Sequence, residues 1–224
     1  MSSTPVNYVA NQPAVTKPVG KLNLIIGCMF SSKTSTLITR GTRYKLGGKK
    51  CIFIKYKNDI RYSKDEIATH DHKFYDAIPA INLADVETYI QSYDVVLIDE
   101  VQFYPDAAIY CDKWANEGKI VEACGLSGDF QRKPFEQISL LISLADSVTH
   151  VVAVDKNNGQ DAAFTHRHTN DTTQVVIGGE NIYEAFSRQS MVKHQINHVT
   201  TPSLHRQQTP DNESDVSQNK NVVE

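Results

Sequence analysis

LNLIIGCMFSSKT, from Leu22 to Thr34, is an apolar run that breaks at Gly27 and resumes as a helix-forming stretch at Lys33-Thr34. An uncharged, largely aliphatic run of this length reads as a strand covered on both faces of a sheet, Leu22–Ile26. A glycine just past a strand, with Lys-Thr opening a helix, is the layout of the phosphate-binding loop G-x-x-x-x-G-K-[ST]. The backbone N–H groups of such a loop, together with the helix N-terminus, make a cradle for anions. Gly27, Ser31, Ser32, Lys33 and Thr34 are therefore candidate nucleotide contacts. Lys33 would reach the β- and γ-phosphates and Thr34 would ligate Mg2+. Ser32 occupies the position of the second consensus glycine. If the backbone there is left-handed, serine costs about 1–2 kcal/mol, which weakens a clamp without abolishing it.

A second stretch answers the first. Asp94-Val95-Val96-Leu97-Ile98-Asp99-Glu100 is an apolar strand ending in two carboxylates, the pattern in which Asp99 holds a metal beside the triphosphate. Further short apolar runs at Cys51–Tyr56, Ile120–Cys124 and Val151–Val154 read as strands. Helical patterns fit Lys33–Lys45, Asp85–Gln91, Asp106–Glu117 and Phe135–Asp146. Strand and helix alternate, so the fold class is α/β: a P-loop NTPase (RecA-like) parallel sheet with flanking helices. Ligands bind such sheets at the carboxyl ends of their strands. Residues 57–83 read as a functional loop. Residues 1–19 read as a flexible arm, 20–154 as the ATP-binding domain, 155–198 as a small C-terminal subdomain and 199–224 as a tail too polar to order itself.

Composition excludes several classes of function. Hydrophobic residues are 40 % of the chain, charged residues 22 %, and the formal net charge is −3. That is an ordinary globular balance without the basic footprint of a nucleic-acid binder. No run has the length of a membrane span, and no signal or transit peptide is apparent at the start. The four cysteines, 28, 51, 111 and 124, have no paired spacing and read as reduced thiols. These features point to a cytoplasmic protein.

The motifs together resemble the type II thymidine kinases, the cytosolic family shared by animals, bacteria and poxviruses. The resemblance is carried by GCMFSSKT at 27–34, IKYKNDIRYS at 54–63, THD at 69–71 and IDEVQFYPD at 98–106. It continues through GLSGDFQRKPF at 125–135, LADSVTHVVAV at 144–154, AAFT at 162–165 and VIGG…Y at 176–183. It implies transfer of the γ-phosphate of ATP to the 5′-hydroxyl of thymidine, with Mg2+. Glu100 would be the general base, since a carboxylate can take the hydroxyl proton as the oxygen attacks. Arg61 would stabilise charge on the transferred phosphoryl group, with Asp59 in the same loop. Gln102 and Arg132 would support the nucleotide site. Met29, Phe103, Leu126, Phe130 and Phe135 would line the nucleoside pocket. Thr165, Val176, Gly178 and Tyr183 fall on the lasso, a loop that closes over the base and reads it largely through main-chain atoms. The resemblance also implies a homo-oligomer, typically a tetramer. The alternative is a non-catalytic nucleotide-binding paralogue, and the complete set Lys33, Thr34, Arg61, Asp99 and Glu100 counts against it.

One departure is larger than Ser32. In the resembled family the lasso rests on a zinc held by two CxxC pairs, and the matching positions here are Asp155, Asn158, Ser187 and Ser190. A four-cysteine zinc site cannot form, so zinc is not expected. The pair His166 and His168 reads as solvated loop residues. The lasso must then be held by packing, for which Phe164, Phe186 and the main body are the candidates, or be more mobile.

Overall fold

The computed structural model describes residues 19–59, 66–68, 74–169, 171–176 and 178–200. Chain order runs β1 (Lys21–Gly27), α1 (Lys33–Leu46), β2 (Cys51–Tyr56), β3 (Glu66–Ala68), β4 (Phe74–Asp76), β5 (Ile78–Ala80) and β6 (Val95–Ile98). It continues with α2 (Ala107–Asn116), β7 (Ile120–Leu126), α3 (Glu136–Leu144), β8 (Ser147–Val151), β9 (Ala153–Val154) and β10 (Asp161–Ala162). β11 (Phe164–Arg167), β12 (Tyr183–Phe186) and α4 (Arg188–Thr200) complete it.

Six strands form one sheet in the order β5-β2-β6-β7-β1-β8, and every pairing within it is parallel. Parallel neighbours require crossovers, so helices cover both faces and the central strands become apolar on both sides. All four residues of β6 are buried. On one face, Leu22, Leu24, Val96 and Ile98 meet Trp114 and Cys111 of α2 and Ile138 and Leu141 of α3. On the other, Ile25, Phe53, Leu97 and Cys124 meet Leu37 and Ile38 of α1. Each aliphatic side chain removed from water there contributes about 1.5–3 kcal/mol. α1 lies very close to the sheet at Gly41. A Cβ on Gly41 would come within 2.6 Å of Phe53 and 2.8 Å of Leu97.

The expected strands at 51–56 and 95–98 occur with those bounds, and 120–124 extends to Leu126. Two expectations are corrected. Val151–Val154 is not one strand. Ser147–Val151 pairs with Asn23–Gly27, whereas Ala153–Val154 leaves the sheet and pairs antiparallel with Asp161–Ala162. β8 is an edge strand with one side in solvent, so its polar Ser-Val-Thr-His sequence gave no apolar signal. The expected helix Asp85–Gln91 is two 3-10 turns, Leu83–Val86 and Tyr89–Ser92. Seven residues are too few for a self-supporting α-helix, and tertiary partners decide instead. Asp106 accepts the N–H groups of Leu83 and Ala84 at 3.0 and 2.9 Å, and Lys119 Nζ caps the carbonyls of Ile90 and Tyr93 at 2.9 Å each. The excursion at 57–83 contains the β3–β4 hairpin and the parallel edge strand β5.

Beyond β8 the chain forms two antiparallel ribbons, β9–β10 and β11–β12, followed by α4. This helix runs through residues 199 and 200, two positions past the expected subdomain boundary.

Candidate active site

The site forms at the carboxyl edge of the sheet, where β1, β6 and β7 end side by side. β1 ends at Gly27, where a Cβ would lie 2.4 Å from both Ser31 Oγ and the Val151 carbonyl. Only glycine fits there. The loop then folds inward on itself. The Cys28 carbonyl accepts from Ser31 Oγ at 2.8 Å and from Lys33 Nζ at 2.6 Å. Lys33 is only 8 % exposed, so the ammonium already sits inside the loop that would wrap a phosphate chain. Ser32, the helix N-cap residue, has φ 60° and ψ 28° and its side chain makes no capping hydrogen bond. The left-handed backbone considered from the sequence is therefore present, and Phe30 shares it at φ 64°.

β6 stands two strands away with β7 between, yet its terminal carboxylate reaches α1. Thr34 Oγ1 lies 3.1 and 3.3 Å from the two Asp99 oxygens. Cys124 of β7 donates its thiol to Asp99 Oδ1 at 2.9 Å. Burial, reinforced by the neighbouring Asp99 carboxylate, pushes that thiol well above its usual value, so it remains a protonated donor. A hydroxyl beside a carboxylate at a phosphate loop is a hard-oxygen donor set that fits Mg2+.

Glu100 follows in a left-handed conformation at φ 52°, which turns its side chain away from the strand direction and into the cleft. Gln102 Nε2 donates to Glu100 Oε2 at 2.6 Å, while Gln102 Oε1 accepts the Leu126 N–H at 3.1 Å. One amide thus ties the Glu100 carboxylate to β7. Gln102, which the resemblance placed in support of the nucleotide site, holds the Glu100 carboxylate.

Glu100 lines a cavity of about 300 Å3 together with Met29, Asp59, Phe103, Leu126, Phe130, Phe135, Thr165, Val176, Gly178 and Tyr183. Eleven sequence expectations therefore meet on one wall system. Phe103 and Phe135 stand edge to face at 6.4 Å. The Arg167 guanidinium sits 3.5 Å over the Phe130 ring, fixing that ring's plane. The lasso docks through Thr165, whose hydroxyl accepts the Met29 N–H at 3.0 Å. Tyr183 OH donates to the Val176 carbonyl at 2.6 Å and holds the descending limb.

Residues 20–191 match the family model described as thymidine kinase. The chain belongs to the thymidine kinase family. It is similar to the thymidine kinases of Vaccinia virus (strain Ankara) and Variola virus, each 42 % identical over 77 % of this chain and 97 % of the relative. The thymidine kinase of Myxoma virus (strain Lausanne) is 40 % identical over 75 % of this chain and 94 % of its own.

Within this thymidine kinase fold, the sequence reading missed Tyr56, Asn58, Gly128, Asp129, Gln174 and Val175 of the cavity wall. Asp129 was visible in the GLSGDFQ block. Gln174 was not, because a polar lasso residue carries no pattern until it is seen donating to Asp129 Oδ2 at 3.2 Å. Arg61 and the THD block lie outside the described residues, as does Ile177. Arg132 is exposed on the turn after Asp129. The expectation of solvated His166 is corrected. His166 is buried, stacked 4.4 Å from Phe186 and packed 4.2 Å from His194. Among the described residues, no group of three or more His, Cys, Asp or Glu is arranged around a metal position. Asp155, Asn158, Ser187 and Ser190 do converge, as a hydrogen-bonded cluster. All four cysteines are free thiols, and no described helix is long and apolar enough to cross a membrane.

Proposed function

We propose that this chain transfers the γ-phosphate of ATP to the 5′-hydroxyl of thymidine, giving thymidine monophosphate and ADP. The observation that carries the reading is the seating of Glu100. Its carboxylate is buried, held by Gln102, adjacent to the Thr34–Asp99 pair, and faces an aromatic-walled cavity. An aromatic-walled cavity of about 300 Å3 suits a flat pyrimidine with its sugar, and we expect it to favour thymidine over purine nucleosides by size. Deoxycytidine would be discriminated against by polar groups left unpaired on burial.

In this mechanism Glu100 accepts the 5′-hydroxyl proton as the oxygen attacks. Lys33 exchanges the Cys28 carbonyl for phosphate oxygens, so its charge is positioned before ATP arrives. Gly27, Ser31 and Ser32 present loop N–H groups to the same phosphates, and Arg61 supplies a fork of donors to the transferred group. Asp59 lines the cavity. Thr34 and Asp99 would hold Mg2+, which when bound neutralises charge on the phosphates. The reading includes a cytoplasmic setting, in which free thiols stay reduced. It also includes a homo-oligomer, a tetramer by family resemblance. Leu140 and Leu144 on α3, Val148 on β8 and Val152 just after it, all more than 40 % exposed, offer apolar surface for that assembly, and light scattering gives its mass.

A coupled kinase assay across thymidine, deoxyuridine and deoxycytidine tests the proposal. Thymidine should be turned over, and Glu100→Gln should lose on the order of 10²–10⁴-fold in kcat while still binding ATP. A wild-type chain that binds ATP and phosphorylates no nucleoside would replace this reading with the non-catalytic one.

A further inference from the structure

Asp155 is a wholly buried carboxylate, 0 % exposed, and among the described residues no cation is paired with it. Neutral donors surround it instead. Its Oδ1 accepts the Asn157 N–H at 2.9 Å and its Oδ2 accepts the Ser187 N–H at 2.7 Å. Its own N–H donates to the Gln160 carbonyl at 2.8 Å, and its carbonyl accepts from Gly159 at 2.7 Å. Asn158 Nδ2 donates to Ser187 Oγ at 3.0 Å and to Ser190 Oγ at 3.2 Å. Ser187 Oγ in turn accepts the Ser190 N–H at 3.2 Å, capping α4. The carboxylate lies at the N-terminal end of that helix, where its dipole favours negative charge. Burial pushes the Asp155 carboxyl up, but hydrogen bonds from Ser190, Ser187 and Asn157 overcome it and hold the group well below the usual carboxylate range. The side chain is therefore an anion.

The two segments it joins are 32 residues apart, and they bracket the whole lasso. Between them lie Thr165, which docks on Met29, the cavity-lining stretch around Val176 and Gly178, and Tyr183. A carboxylate bonded at both ends of a loop fixes where that loop begins and ends. Packing alone does not do this, because stacked rings such as His166 on Phe186 can slide at little cost, whereas a buried anion accepts only directed donors.

We propose that Asp155 is a positioning residue for the nucleoside. Its buried carboxylate clasps the two ends of the lasso and so holds Thr165 and Tyr183 over the cavity, without touching substrate. The inference rests on the reading of that cavity as the thymidine pocket. The phosphate loop is built from other residues, so the clasp acts on nucleoside binding and not on ATP binding.

The test compares Asp155→Asn and Asn158→Ala with wild type by steady-state kinetics and amide hydrogen exchange. For Asp155→Asn the thymidine KM should rise on the order of ten-fold with the ATP KM within about two-fold. Amide exchange should quicken across 161–186 while α1, β6 and β7 keep their protection. Asn158→Ala removes the bridge to the serines but leaves the anion, and should give the same pattern more weakly. A folded Asp155→Asn with unchanged thymidine KM and unchanged exchange at 161–186 overturns the proposal. So does a parallel rise in both Michaelis constants with loss of protection throughout, which is general destabilisation. If Asp155→Asn does not fold, Asn158→Ala decides by the same criteria. If wild type phosphorylates no thymidine, the functional reading fails, while the exchange pattern still reports whether the clasp holds the lasso.

Discussion

Ser32 shows how one backbone angle separates strain from loss of function. At φ 60° a serine carries about 1–2 kcal/mol of left-handed strain. Glycine would relieve it but would give back about 0.5–1 kcal/mol through the entropy of the unfolded chain. Ser32→Gly should therefore stabilise by about 1 kcal/mol, raising the thermal midpoint by about 2–4 °C. Calorimetry of the two chains measures this, and a lowered midpoint would mean that the serine hydroxyl makes a compensating contact. The angle itself is a property of the loop: Lys33 and Ser31 both turn inward to the Cys28 carbonyl, and the chain must reverse before α1 can start. The sequence raised the question of Ser32 but could not supply its φ. Gln102 is the complementary case. Its type and position were legible, but its role depended on which partner lay within reach, and that partner was Glu100.

At the level of elements, α1 is placed by what it lacks. Gly41 has no side chain because Phe53 and Leu97 already fill the space beneath it. A Gly41→Val change should force α1 outward from β2 and β6 at a cost of about 2 kcal/mol, and chemical denaturation would show it as a lower midpoint at unchanged slope. A neutral or stabilising result would show that the helix–sheet contact is loose. The central strands were easy to read, since burial on both faces leaves only apolar residues. The edge strand β8 and the turns at 83–92 were harder. β8 needs just one covered face, and the turns are held by Asp106 and Lys119 from elsewhere in the chain.

Over the whole molecule, the C-terminal subdomain differs most from expectation. Its positions 155, 158, 187 and 190 meet in space, as the resemblance to zinc-bearing relatives implied, but the atoms that meet are carboxylate, amide and hydroxyl oxygens and nitrogens. A structural zinc contributes a large share of the folding free energy of a small unit. If hydrogen bonds do that work at these positions, the chain should be indifferent to zinc removal. With Mg2+ in excess, a zinc-selective chelator such as 1,10-phenanthroline should leave both kinase activity and the thermal midpoint unchanged. A drop in either would reveal a bound metal. On the proposed reading, general chelation with EDTA should stop turnover until Mg2+ is restored, because Thr34 and Asp99 would provide oxygen donors for that ion.

The sequence by itself determined the α/β alternation, the phosphate loop and the acid-ended strand. Each is written in local chemistry: uncharged runs for doubly covered strands, a glycine where no Cβ fits, adjacent carboxylates at a strand end. The tertiary structure alone decided which partner each polar group found. Gln102 turned to Glu100, Cys124 to Asp99, Gln174 to Asp129 and Asp155 to Ser187. Hydrogen bonds are short-ranged and directional, so their pairing depends on distances that exist only once the strands and the lasso have come together.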